Sequence, residues 1–239
     1  MLLADIALIT GAYLIGSFPY MLLLGRAKGV DLSHEPDSHQ ALWHKVGRLE
    51  GLSGVLVDIL KGVIPVVVGF LLDFRLATIA AAGVAAVIGQ MWPVFEKFDG
   101  EKGNSSGGGM ILTLTMFLTA TSSPYAYWVF IITVIPVLTG FFVRTIPRFM
   151  APSQTMDERL KLGGPASNSL PLGMLIGFAV APKASWLLNQ PVEMTVAFLA
   201  LFILIAVRRL TASLHADLKP GVNLGKILLN RFLYDRSYL

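Results

Sequence analysis

The residues best placed to do chemistry lie between Gly89 and Gly109, in GQMWPVFEKFDGEKGNSSGGG. An apolar chain turns polar there and gathers Gly100, Gly103, Gly107, Gly108 and Gly109 around Lys102. Trp92, Pro93, Val94, Phe95 and Phe98 suit the end of a membrane helix at headgroup level, and a glycine run disfavours a helix or strand interior. The expectation is therefore a loop. Glycines let backbone N–H groups converge and a lysine adds a mobile point charge, a combination that suits a phosphate group. Glycine and serine also cluster in loops for conformational reasons alone, so the stretch by itself is only compatible with an anion.

A second candidate is the pair Asp58 and Lys61 in GLSGVLVDILKGVIPVVVGF. Spaced i, i+3, they share one helix face, roughly 10–15 Å inside an apolar run at 1.5 Å per residue. Charges at that depth must pair, turn toward other helices or line a polar cavity, so the pair is either part of a site or a structural salt bridge. The segment 26–50 holds His34, His39 and His44, but their spacing matches no metal motif and no carboxylate completes a set, so no metal is expected. Ser17 should bond back to a helix carbonyl.

These groups need a membrane frame to position them. The chain has 239 residues, 54% hydrophobic and 14% charged, with no cysteine; its mean hydropathy of +0.67 excludes a water-soluble domain with one core. The fold class expected is all-α, polytopic, with spans near 3–25, 51–72, 75–96, 107–122, 125–143, 168–188 and 191–207. Sixteen Lys and Arg residues fall on one side of these spans, while only Arg75 and Lys183 fall on the other. The positive-inside rule then puts the N-terminus outside and the C-terminus in the cytoplasm. Nearly all the polar chemistry faces the cytoplasm in that orientation.

Residues 1–210 read as one transmembrane domain and 211–239 as a cytoplasmic amphipathic tail, with Leu224, Ile227, Leu228 and Phe232 on one stripe that either lies on the leaflet or packs on helix ends. GMLIG, Gly173 to Gly177, suits close helix packing, and Pro65 and Pro136 fall inside spans. No inverted repeat is evident, which weighs against a transporter.

Three stretches, GAYLIGSFPYMLLLGRAKGVDL, GLSGVLVDILKGVIPVVV and AAVIGQMWPVFEKFDGEKG, together resemble the bacterial acyl-phosphate:glycerol-3-phosphate acyltransferases, the PlsY family. The resemblance covers residues 11–110 and implies seven helices, an outside N-terminus, and transfer of a fatty acyl group from acyl phosphate to the 1-hydroxyl of glycerol 3-phosphate. It implies a bacterial inner-membrane protein with a cytoplasm-facing site. Its partners would be the two small-molecule substrates and membrane lipid, with no nucleic acid, no cofactor and a monomeric state.

Motif by motif, the resemblance makes Ser38, Lys102 and Arg209 the catalytic candidates. It makes His44, Asp58, Lys61, Gly100, Gly103 and Arg208 the substrate-binding ones. The departures are equally specific. The family's glycine-rich GSGNxGATN segment is reduced to DSHQ, Asp37 to Gln40, and His44 stands where the family has arginine. Gln90 replaces a histidine, GGKG reads Gly100–Glu101–Lys102–Gly103, and Arg209 and Ala212 replace a histidine and an asparagine. The alternative expectation is therefore a repurposed relative that keeps the helical frame as a membrane binding or scaffold protein.

Overall fold

The computed structural model describes residues 2–33, 35, 38–150, 168–212, 214–217 and 223–236. His34, Arg159, Lys161 and Lys219 lie outside these residues. All the described elements are helical: α1 (Leu2–Gly16), α2 (Tyr20–Ala27), α3 (Ser38–Lys45), α4 (Arg48–Leu71), α5 (Leu76–Met91), a 3-10 turn (Val94–Glu96), α6 (Asn104–Thr121), α7 (Ala126–Met150), α8 (Ser169–Leu187), α9 (Val192–Thr211), α10 (Leu214–Asp217) and α11 (Leu224–Tyr234). Each of the seven expected spans falls on one of these helices, the first on the bent pair α1 and α2. Among the described residues, five helical stretches are long and apolar enough to cross a bilayer, or six if α1 and α2, bent by 40°, count as one span. The chain forms two compact units, one up to Leu114 and one from Thr115.

In the first unit α1 packs on α5, α4 on α5, and α3 on α4. The α1–α5 contact is built on small residues, with Ala12, Ala82, Ala85 and Ala86 buried together. It is locked at its far end by Asp5, which accepts from Arg75 Nη2 at 2.6 Å and from Thr78 Oγ1 at 2.9 Å. Ser17, one residue past the end of α1, makes the expected back-bond, its Oγ donating to the Tyr13 carbonyl at 2.9 Å.

The glycine run departs from expectation. Helix α6 starts at Asn104, so Gly107, Gly108 and Gly109 are helical, and the Gly107 N–H donates to the Gly103 carbonyl at 2.9 Å. A glycine costs about 1 kcal/mol against alanine inside a helix, and close packing offsets it here. A methyl on Gly109 would overlap the Ile59 carbonyl of α4, and one on Gly62 would overlap the Ser106 carbonyl of α6. Backbone thus meets backbone between α4 and α6. Gly108 meets no neighbour within 4 Å, and nothing in the structure explains it.

In the second unit α7 packs on α8, and α8 on α9. The GMLIG expectation agrees with this packing: a methyl on Gly173 would strike the Pro136 carbonyl, and one on Gly177 would lie 2.7 Å from that of Thr133. Pro65 and Pro136 sit inside α4 and α7. Helix α11 packs against α8 and α9, burying Ile227, Asn230 and Arg231. Arg231 pairs with Asp217 and donates to the Ala212 carbonyl.

Candidate functional site

The site is built on α4. Its Val57, Leu60, Lys61 and Ile64 recur at i, i+3, i+4 and i+7, and so line one face. With Leu14, Ile15, Phe18 and Phe95 they bound an apolar groove of about 540 Å³. Leu14, Ile15, Phe18, Leu60, Ile64 and Phe95 are also exposed, so the groove opens on the surface that a bilayer would cover.

On its other side Lys61 lines a small polar crevice with Tyr20, Ser38, Gln90, Glu96 and Glu101 among its walls. The space in it is about 20 Å³, room for about one water. A larger reactant therefore requires its walls to part.

Behind the crevice lies a buried ionic hub. Asp58 is fully buried and Lys61 is 7% exposed. Lys61 Nζ sits 2.9 Å from Asp58 Oδ1, while His39 Nε2 sits 3.1 Å from Oδ2. The carboxylate is thus shared between a residue of its own helix and one of α3. The backbone of the same turn is held as well: Ser106 Oγ of α6 donates to the Asp58 carbonyl at 2.7 Å and lies 2.5 Å from the Gln90 side-chain amide. Asp58, Gln90 and Ser106 therefore tie α4, α5 and α6 at one level.

The loop from α5 to α6 folds back on the end of α5. Gly100 N–H donates to the Met91 carbonyl at 3.2 Å and Glu101 N–H to the Gln90 carbonyl at 3.1 Å. These amides, like that of Gly107, are spent inside the protein instead of turned outward, so few of the expected phosphate-facing N–H groups remain. The amides ahead of Gly107 in the first turn of α6 have no partner within the helix. Gly103 has φ of +74° and carries the chain into α6, a conformation that only glycine adopts without strain.

The structure brings Ser38, Asp58 and Lys61 together. Lys102 is half-buried at the entry to α6, beside Glu101, and is not part of the crevice wall. His44 is exposed in the last turn of α3. Arg208 and Arg209 belong to the second unit and are buried there. The Arg209 guanidinium donates from Nη2 to the Pro171 carbonyl at 3.0 Å and from Nη1 to that of Phe232 at 3.2 Å, joining α8 and α11.

Sequence reasoning passed over three parts of this arrangement: His39 as the second partner of Asp58, the Gln90–Ser106 pin, and Glu96 in the crevice. One signal pointed to the first, since a carboxylate buried in an apolar helix asks for more than one i+3 lysine. Among the described residues no group of three or more His, Asp and Glu is arranged to hold a metal ion.

Residues 6–153 match the family model described as glycerol-3-phosphate acyltransferase. The glycerol-3-phosphate acyltransferase of Geotalea daltonii is 36% identical over 115 residues, which is 47% of this chain and 59% of the relative. That of Geobacter metallireducens is 38% identical over 116 residues, 47% of this chain and 60% of the relative. The chain thus spans about three fifths of the length of the curated relatives it matches. Two crystal structures of PlsY, an integral membrane glycerol 3-phosphate acyltransferase, share the fold. The glycerol 3-phosphate form has a TM-score of 0.60 at 22% identity, covering 86% of this chain and 88% of that one. The lysophosphatidic acid form has a TM-score of 0.60 at 21% identity, covering 97% and 98%. With a family model matching well over half its residues, an apolar groove and a polar crevice meeting at one lysine, the chain belongs to the glycerol-3-phosphate acyltransferase family.

Proposed function

We propose that this protein is a membrane acyltransferase that moves a fatty acyl group from acyl phosphate to the 1-hydroxyl of glycerol 3-phosphate, giving lysophosphatidic acid. The observation that carries this reading is the position of Lys61 on the seam between groove and crevice. A fatty chain suits the groove, and the headgroup end of the same molecule would then meet an ammonium. The glycerol oxygen attacks the acyl carbonyl and forms the new ester bond. The acyl–phosphate C–O bond breaks, phosphate leaves with the electron pair, and the hydroxyl proton passes to phosphate or water. Phosphate is a good leaving group, so holding the reactants and stabilising charge supply most of the rate, and no metal or organic cofactor is required.

In this reading Lys102 holds a phosphate group, Ser38 lies beside the reacting centre, and His44, Gly100 and Gly103 shape the substrate entry. The chain crosses a bacterial inner membrane seven times as a monomer, with the site and the tail from 211 on the cytoplasmic side. Helices on all seven expected stretches and sixteen cations against two support that orientation. The test is direct: purified protein in lipid vesicles, given palmitoyl phosphate and labelled glycerol 3-phosphate, is expected to form labelled lysophosphatidic acid. Lys102→Ala is expected to lose about 10²-fold in kcat/KM, the scale of one lost transition-state donor. Absence of product with the unaltered chain at any pH from 5 to 9 would reject the reading.

A second reading, a repurposed relative without turnover, is favoured by one observation: Glu96 and Glu101 put two carboxylates in the crevice wall against one lysine. Carboxylates repel a phosphorylated reactant. If the enzyme turns over despite them, Glu101→Gln should lower KM for glycerol 3-phosphate by about 3- to 10-fold, the scale of one partly screened charge at several ångströms. A repurposed protein would give no turnover in either form, and Lys102→Ala would leave its membrane function intact.

A further inference from the structure

We propose that His39 is a positioning residue for the acyl-transfer site: by holding Oδ2 of Asp58 it leaves the Lys61 ammonium engaged through Oδ1 alone and presented at the seam between groove and crevice. This rests on the reading above for what Lys61 meets there. The geometry is independent of it. Asp58 is fully buried, and its two carboxylate oxygens face two different side chains, His39 of α3 at 3.1 Å and Lys61 of α4 at 2.9 Å.

A buried carboxylate that loses the partner of one oxygen does not remain half-satisfied. Lysine has a flexible four-carbon stem and a compact charge that moves to the best available acceptor. Without His39, Lys61 is drawn across both oxygens of Asp58, inward from the cavities it now lines. The charge offered to a phosphoryl group at the head of the apolar groove falls, though no residue contacting that group has been changed.

The same contact sets Ser38. Neighbouring residues on a helix point about 100° apart. Anchoring His39 into α4 therefore fixes which way the preceding residue faces, and Ser38 lines the crevice. Gly54 of α4 makes room for this anchor, since a methyl there would lie 3.3 Å from His39 Nδ1. In a chain whose phosphate-loop glycines are replaced by DSHQ, this histidine ties the segment back to the membrane core by charge where a glycine-rich loop would do so by close backbone approach.

The experiment compares the unaltered protein, His39→Leu and His39→Gln in vesicles, with KM for palmitoyl phosphate and for glycerol 3-phosphate measured separately. A second readout is the 15N resonance of the Lys61 ammonium in lysine-labelled protein, assigned with Lys61→Arg. His39→Leu is expected to raise KM for palmitoyl phosphate about tenfold, the size of a lost charge-assisted hydrogen bond. It should move KM for glycerol 3-phosphate by less than about threefold on the same scale. It should also shift the Lys61 resonance, and His39→Gln, whose amide reaches the same oxygen, should restore both.

A Lys61 resonance unmoved by His39→Leu overturns the proposal, as does a loss that falls equally on both KM values or appears only in the amount of folded protein. Should His39→Leu fail to fold, His39→Asn, too short to reach Oδ2, takes its place against His39→Gln under the same criteria. A shifted Lys61 resonance in a protein without turnover sinks the acyltransferase reading and leaves the His39–Lys61 relation standing.

Discussion

Lys61→Met is expected to slow acyl transfer by about 10²- to 10³-fold while leaving the protein folded. Among the described residues the ammonium is the one charge that borders both the apolar groove and the polar crevice. Methionine keeps the length and the apolar stem, so groove packing is conserved. The buried Asp58 retains His39 at 3.1 Å, which limits the penalty of an orphaned carboxylate. Initial rates at saturating palmitoyl phosphate and glycerol 3-phosphate, with helicity followed by circular dichroism, would separate lost chemistry from lost fold. A variant within about threefold of the unaltered rate would remove Lys61 from the reaction.

The second large effect is on stability. Asp58→Ala leaves the 7%-exposed Lys61 and the Nε2 of His39 without their common acceptor. Breaking a buried charge cluster by deleting one member costs about 3–5 kcal/mol, a large part of the margin that keeps most domains folded. Thermal unfolding in a fixed detergent is expected to move down by many degrees, with Asp58→Asn intermediate because its amide still accepts through one oxygen. Removing charge on both sides, as Asp58→Leu with Lys61→Met, should recover much of the loss, since paired apolar replacements avoid the stranded ion. Failure of that recovery would mean that Asp58 acts through something other than the two cations.

Local information in the sequence reached as far as each helix does. Apolar runs of membrane length located the five described helical stretches that are long and apolar enough to cross a bilayer, together with α6 and the bent pair α1 and α2, and GMLIG foretold the tight α7–α8 contact, because small residues at i, i+4 need no partner to be recognised. Asp58 and Lys61 were legible as a pair because they share one helix face. His39 was not: its partner lies on another helix, and its spacing to His34 and His44 matches no motif that would have singled it out. The Gly107–Gly109 run misled for the same reason. Glycine argues for a loop until a second backbone, here at Ile59, approaches too closely for any side chain. Arg209 is a third case: no local pattern reveals that its guanidinium is bound to the carbonyls of Pro171 and Phe232.

The contact of α4 with α6 also bears on how the enzyme would breathe. Where two main chains touch at Gly62 and Gly109, no rotamer can swing aside, so that face behaves as a fixed jaw. The opposite face is different. Residues 92–103 meet the end of α5 at the amides of Gly100 and Glu101 and meet α1 where Tyr13 Oη donates to the Trp92 carbonyl at 2.8 Å, with Lys97 and Phe98 both at positive φ. Were a reactant to enter so small a space on that side, turnover would be timed by how often a dozen residues lift, with the ester-forming step itself comparatively quick.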